Sequence, residues 1–467
     1  MKYTSTRENK GLLNFRQVTL KGLASDGGLY VPKNWKEPSL RLANTSTTFE
    51  QTAFEVIQHF VGKSLDEKIL RRLIKKSYRS FRKKEITTLK QLDNNNFILE
   101  LFHGPTLAFK DIALQFLGNA FEVFLQNENK KLTIIGATSG DTGSAAIDAV
   151  KNNTSSDIFI LHPHKRVSEF QRKQMTTVNS RNVFNIALKG TFDDCQDIIK
   201  KLFRDNDLNK NLNLGSINSI NWTRIMSQIT YYIYAYNKIK SETGKTNISF
   251  SVPTGNFGDA YAGYIAKEKF KIPIKKIIVA TNKNNILDRF FRTGVYNKDK
   301  VFKTISPSMD IQIASNFERL LYDITNESGA KVSKFMRDFK EKGIIKIEKK
   351  YFDKTKENFI SFSVNERLTK KRIIKTYNEF NMVIDPHTAV GLHASDEYLE
   401  QHPKDIVVTL STAHPFKFSN SVNSILGFQP DLPQGFENIL KLEEKYEVIN
   451  NSYNLVKDFI LKNATNI

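Results

Sequence analysis

Beyond Phe97 the chain alternates short apolar runs with longer stretches in which apolar residues return every three or four positions. The runs at residues 132–135, 158–161, 183–188, 248–252, 277–280 and 406–410 are of strand length, and the stretches between them carry the helical period. Strands alternating with helices predict an α/β fold, with parallel sheets covered by helices on both faces and ligands at the carboxyl ends of the strands. Ahead of this region, residues 1–85 read as a separate N-terminal unit rich in helical patterning. There Ile69, Leu70, Leu73, Ile74 and Phe81 fall at helical spacing with lysines and arginines between them. Residues 86–467 read as the main body, in which the polar stretch 348–365 suggests a surface insertion and residues 436–467 a closing helical segment. Phe192, Cys195, Ile198, Ile199 and Leu202 also share one helical face, which puts the single cysteine in a core rather than at a nucleophilic site.

Composition changes this picture little. With 467 residues and 40% hydrophobic content, the chain is long enough for two or three domains with a sizeable core. No apolar run reaches membrane-spanning length, and the first fifteen residues lack the apolar centre of a signal peptide, so a cytoplasmic protein is expected. One cysteine excludes an internal disulfide and any multi-cysteine zinc site. The formal net charge of +21 raises nucleic-acid or anionic-surface binding, yet the excess is spread along amphipathic elements and no nucleic-acid motif accompanies it. Neither nucleic acid nor membrane is expected as a partner, and no His, Cys or acidic cluster has the spacing of a metal site.

The chemistry is concentrated in three segments. Lys110 lies in Phe102-His103-Gly104-Pro105-Thr106-Leu107-Ala108-Phe109-Lys110-Asp111, where apolar neighbours desolvate it and favour a free amine able to attack an aldehyde such as pyridoxal phosphate. The segment Gly136-Ala137-Thr138-Ser139-Gly140-Asp141-Thr142-Gly143 follows a strand-like run and leads into a helix-like one. So does Pro253-Thr254-Gly255-Asn256-Phe257-Gly258-Asp259. Each small-residue turn at a helix start presents backbone N–H groups to an anion, and neither fits the dinucleotide or P-loop pattern.

In this order the segments resemble the threonine synthase family, fold-type II pyridoxal-phosphate enzymes, in its longer bacterial and fungal form. The resemblance runs along nearly the whole chain: Asp26-Gly27-Gly28-Leu29-Tyr30-Val31-Pro32, His103 to Asp111, Lys173-Gln174-Met175-Thr176-Thr177, Gly190 to Cys195, Asn218-Ser219-Ile220-Asn221-Trp222, Gly255 to Gly258, Ser306 to Ile311 and Ser411-Thr412-Ala413-His414-Pro415 recur in family order. It implies two parallel-sheet lobes flanked by helices, with the cofactor in the cleft between them and an N-terminal helical domain over residues 1–85.

The resemblance also implies roles. Lys110 is to hold pyridoxal phosphate covalently and then move protons at the substrate carbon atoms. Gly255, Asn256, Phe257, Gly258 and Asp259 are to form the cofactor-phosphate loop, although Asp259 stands where many relatives carry asparagine and its carboxylate must turn from the phosphate. Thr412, or failing it Ser411, is to face the pyridine nitrogen. Thr138, Ser139 and Thr142 are to receive the substrate carboxylate, with Asp141 turned aside to anchor the loop, and Lys165, Asn221 and Arg224 the substrate phosphate. His103 and His414 adjoin these motifs and suit structural or proton-relay duty. The implied reaction converts O-phospho-L-homoserine and water to L-threonine and phosphate; the alternatives are a phospho-lyase releasing 2-oxobutyrate and a non-catalytic basic relative. A dehydratase fits less well, because Ala108 and Ile112 stand where those enzymes show serine and arginine. Monomer and homodimer both remain open.

Overall fold

Two parallel β-sheets carry the main body of the chain in this computed structural model, which describes residues 1–7, 11–35, 47–128 and 130–465. The larger sheet runs, in spatial order, Phe359–Ser363, Ile274–Thr281, Ile248–Pro253, Ile406–Ser411, Asn96–Glu100 and Thr88–Gln91. Its neighbours are parallel except for the final antiparallel pair. The smaller sheet runs Glu447–Asn450, Val183–Lys189, Ser156–Pro163, Leu132–Ala137 and Leu214–Gly215, all parallel. The central strands are near-continuously apolar because helices pack against both sheets; all eight residues of Ser156–Pro163 and all six of Ile248–Pro253 are buried.

All six strands expected from the apolar runs are present, and two expectations for the remainder need correction. The 348–365 stretch is a helix, Lys349–Asn358, followed by the edge strand Phe359–Ser363 of the larger sheet. The closing segment contributes a strand, Glu447–Asn450, to the smaller sheet before its helix Tyr453–Asn463. Residues 466 and 467 of that segment lie outside the described residues, as do 8–10 and 36–46 of the N-terminal region.

At the N-terminus, strands Lys2–Ser5 and Tyr30–Lys33 pair antiparallel, and the helices Phe49–Val61 and Glu67–Tyr78 start on the side-chain caps Thr48 and Asp66. Leu70, Leu73 and Ile74 face inward while Lys68, Arg71, Arg72, Lys75 and Lys76 are exposed, so here the basic excess is a solvated helix face. The inner faces join one hydrophobic core with the long helix Trp222–Thr243: Tyr3 and Phe60 pack with Trp222, Phe15 packs with Tyr3, and Tyr3 donates to the Phe60 carbonyl at 2.9 Å. Cys195 lies buried on the helix Phe192–Arg204, where burial pushes its thiol up to about 12. A thiol reagent is therefore expected to modify Cys195 only after unfolding, at the denaturation midpoint; labelling of the native protein at the rate of a free thiol would contradict its core placement.

Candidate active site

The three chemistry-bearing segments meet where the strands of the two sheets end. Asn96–Glu100 leads into the 103–111 turn, which is tied by Asp111: its carboxylate accepts from the Thr106 N–H at 2.8 Å and the Thr106 hydroxyl at 2.6 Å. Leu107 adopts a left-handed conformation (φ 64°), and a Cβ at Gly104 would lie 2.4 Å from that of Asp111, so the tight turn requires glycine. Phe109 N–H donates to the Thr412 carbonyl at 2.9 Å and His414 N–H to the Leu107 carbonyl at 3.0 Å. The end of Ile406–Ser411 is thereby held against the Lys110 turn.

Lys110 opens the helix Lys110–Gln126 and is buried. Among the described residues its Nζ has one polar contact, 3.3 Å to Asp141 Oδ2, and it lies 4.8 Å from the centre of the Phe109 ring. Burial lowers its pKa; Asp141 opposes that shift, while the Lys417 and Arg224 charges add to it.

Lys417 is the residue that sequence reasoning passed over. It sits in the short turn Pro415–Phe418 with a fully buried side chain. Nζ donates to the Thr106 carbonyl at 2.7 Å and Gln174 Oε1 at 2.9 Å, and reaches Asp141 Oδ1 at 3.1 Å. It thus joins the lysine turn, the helix Glu169–Thr176 and the helix Asp141–Val150. Asp141 also accepts from Gln171 Nε2 at 2.8 Å and Ser308 Oγ at 3.4 Å. Burial disfavours its ionised form, but Lys417, Lys110, His387 and the Gln171 bond hold its pKa far below the ordinary carboxylate range.

Both glycine loops end in helices without a side-chain cap: Asp141–Val150 after Gly140, and Gly258–Glu268 after Phe257. Thr138 Oγ1 accepts from Gly140 N–H at 3.0 Å and Gly143 N–H at 2.8 Å, which closes the first loop upon itself. Thr142 is half-buried beside it and Ser139 exposed. In the second loop Phe257 is left-handed (φ 62°), and a Cβ at Gly255 would meet the Ser308 carbonyl at 2.6 Å. The Asn256 carbonyl accepts from Asn316 N–H at 3.0 Å. The Asp259 carboxylate is turned to Tyr231 and Tyr232, whose hydroxyls donate to Oδ1, while Oδ2 is buried without a partner; burial raises its pKa to about 6.

Arg224 lies on the same helix as Tyr231, 3% exposed. Its guanidinium has one long hydrogen bond, 3.4 Å to the Ile217 carbonyl, and Nε has none. Burial brings it down to about 10, so it stays charged at neutral pH with no carboxylate bonded to it among the described residues. A buried cation in that state is a receptor for an anion.

The remaining expected residues are placed as follows. Thr412 is buried and its hydroxyl makes no hydrogen bond among the described residues, whereas the Ser411 hydroxyl is engaged by Thr388 at 2.9 Å. Lys165 is exposed on a left-handed turn after Ser156–Pro163 and, among the described residues, makes no ion pair with the group around Lys110. Asn221 is committed elsewhere: it caps Trp222–Thr243 through Thr223 N–H at 3.0 Å, and its amide donates to the Thr19 carbonyl at 2.9 Å and the Ser216 carbonyl at 3.3 Å, which leaves no side-chain donor for a substrate phosphate. His103 bonds Glu100 at 2.9 Å, and His414 Nδ1 accepts from Phe416 N–H at 3.2 Å. A buried pair not anticipated from sequence, Asp385 and His387 at 2.7 Å, supports Ser308, whose N–H donates to His387 Nε2 at 3.1 Å. Among the described residues no cluster of His, Cys, Asp or Glu is arranged to hold a metal ion, and no helix is long and apolar enough to cross a membrane.

The chain matches family models described as threonine synthase N terminus over residues 2–78, pyridoxal-phosphate dependent enzyme over 84–336, and threonine synthase C-terminal over 388–460. A curated threonine synthase from Pseudomonas aeruginosa is 42% identical, with 98% of each chain covered. A pyridoxal-phosphate-bound threonine synthase structure from Brucella melitensis superposes with a TM-score of 0.94 at 38% identity over 100% of both chains. The yeast threonine synthase structure gives 0.92 at 39% identity, covering 99% of this chain and 98% of that one.

Proposed function

Because the chain belongs to the threonine synthase family, whose members are pyridoxal-phosphate-dependent lyases, we propose that it converts O-phospho-L-homoserine and water to L-threonine and phosphate, and does so in the cytoplasm. The observation that carries this reading is Lys110: a buried amine with a single long contact, between two uncapped helix N-termini and an unpaired buried arginine.

The residues present fit the cofactor. Gly255 lets the Ser308 backbone close against the loop where a Cβ would clash, Phe257 takes the left-handed turn just before the uncapped helix start, and Thr412 offers an unengaged hydroxyl. We assign Gly255, Asn256, Phe257, Gly258 and the Asp259 backbone to the cofactor phosphate, Thr412 to the ring nitrogen and Lys110 to the aldehyde carbon. When bound, pyridoxal phosphate supplies an electron sink for the charge left on substrate carbon atoms. Lys110 takes the proton from the substrate α-carbon, moves a second one at the β-carbon, and returns one to the α-carbon after water has added. The 138–142 loop, with Thr138, Ser139 and Thr142, receives the substrate carboxylate on neutral donors, since Asp141 is already engaged. Arg224 receives the substrate phosphate and helps it leave the γ-carbon, with Lys165 reaching the cleft from outside.

The test is proton and phosphorus NMR of the protein with pyridoxal phosphate and O-phospho-L-homoserine, following threonine, 2-oxobutyrate and free phosphate together. Threonine and phosphate are expected in equal amounts. 2-Oxobutyrate in place of threonine would make the chain a phospho-lyase, and unchanged substrate would defeat the reading.

A further inference from the structure

Asp141 touches two buried lysines, and they are not equivalent. Lys417 Nζ has an acceptor for each of its three N–H bonds, in the Thr106 carbonyl, Gln174 and Asp141. It has no hydrogen to spare. Among the described residues Lys110 Nζ has only Asp141, at 3.3 Å. The carboxylate, in turn, is fixed on its Oδ1 side by Lys417 and Gln171 and presents Oδ2 to Lys110 and Ser308. A cross-braced carboxylate of this kind does not follow Lys110 when that side chain moves.

We propose that Asp141 is a positioning residue for Lys110: anchored by Lys417 and Gln171, it docks the Lys110 amine whenever that amine is not bonded to the cofactor. The inference rests on Lys110 being the reacting amine. Once the substrate amine has displaced it, Lys110 takes the proton of the α-carbon. The C–H bond breaks, an N–H bond forms and the electron pair stays with the carbon. The lysine is then an ammonium inside a buried site, and Asp141 is the counter-charge already in place. Lys417 makes this arrangement reversible. Its fixed charge draws on the same carboxylate, so the Lys110 ammonium is never so well paired that it cannot give the proton back.

The charged groups acting on Lys110 are Asp141, Lys417, Arg224 and, from the phosphate loop, Asp259; Asp141 additionally feels His387. Two substitutions on opposite sides of the pair therefore have opposite consequences. The full-length protein, freed of cofactor by dialysis, is pulse-labelled with acetic anhydride at graded pH, and the Lys110 peptide is quantified by mass spectrometry. Asp141→Asn is expected to shift the midpoint of Lys110 labelling down by about one to three pH units, and Lys417→Met to shift it up. Lys417→Arg, which keeps the charge, is expected to stay with the parent protein. A purely architectural role would move both midpoints the same way or neither, and either result overturns the proposal. Should Lys417→Met not fold, as judged by its melting temperature, Asp141→Asn decides alone: a midpoint unmoved or raised refutes the inference. No substrate enters this experiment, so it can fail while threonine is formed, and it can succeed while the NMR products contradict the proposed reaction.

Discussion

Lys110→Ala is expected to leave no measurable turnover, a loss of at least roughly four orders of magnitude, and to remove the visible absorbance that covalently held pyridoxal phosphate gives. The expectation is strong because no neighbour can stand in. Lys417 is the only other lysine bonded to Asp141 among the described residues, and its Nζ is held by three acceptors in a fully buried side chain. Releasing it would strip a buried amine of its three acceptors, and unsatisfied buried polar groups cost about 1–3 kcal/mol each. Borohydride reduction of the cofactor-loaded parent protein, followed by peptide mapping, should mark Lys110 alone. Turnover retained by Lys110→Ala, or reduced cofactor mapped to Lys417, would overturn the assignment.

The same criterion that exposes Lys110 in the sequence also applies to Lys417. Both are lysines set among phenylalanines, Lys110 after Phe109 and Lys417 between Phe416 and Phe418. Desolvation is legible from such neighbours; what is not legible is whether the amine has partners. Those come from Thr106, Asp141 and Gln174, 243 to 311 residues away, and only the fold brings them together. Asn221 is the opposite case. An asparagine directly before a helix-like run is a capping signal, and the local duty explains it fully. Arg224 is legible only through the family resemblance, because an unpaired buried cation is a property of surroundings, not of sequence.

The strands divide along a similar line. Six of the mostly buried strands are legible as apolar runs, whereas Asn96–Glu100, buried at all five positions but with only three apolar residues between Asn and Glu, is not. Those at sheet edges bury little: Glu447–Asn450 buries only Ile449, and Phe359–Ser363 leaves two of five positions half-exposed. An edge strand of that kind has the polarity of a loop, so residues 348–365 and 436–467 hid theirs. Asp259 was legible as a conflict, a carboxylate in a phosphate loop, and the resolution needed Tyr231 and Tyr232 from a helix that packs beside it.

Arg224→Met is expected to produce effects of opposite sign in two assays, and that crossing is what separates an anion receptor from a packing residue. In phosphate-free buffer the parent protein carries a buried guanidinium with one long hydrogen bond and an unsatisfied Nε. Replacing it with an apolar side chain of similar length removes an uncompensated charge, which should raise stability by about 1–3 kcal/mol in chemical denaturation. With inorganic phosphate at 1,000 times its dissociation constant, the parent gains about 4 kcal/mol and the variant almost none, so the order reverses. The protein is kept saturated with pyridoxal phosphate throughout, which fills the cofactor's own phosphate loop and leaves Arg224 as the responding group. In turnover, the variant should lose roughly 10²- to 10³-fold in kcat/KM for O-phospho-L-homoserine, about 3–4 kcal/mol, because the missing partner is a charge-assisted one in a desolvated site. Equal stabilisation of both proteins by phosphate would remove Arg224 from the anion site, and the substrate phosphate would then have to be sought nearer the exposed Lys165.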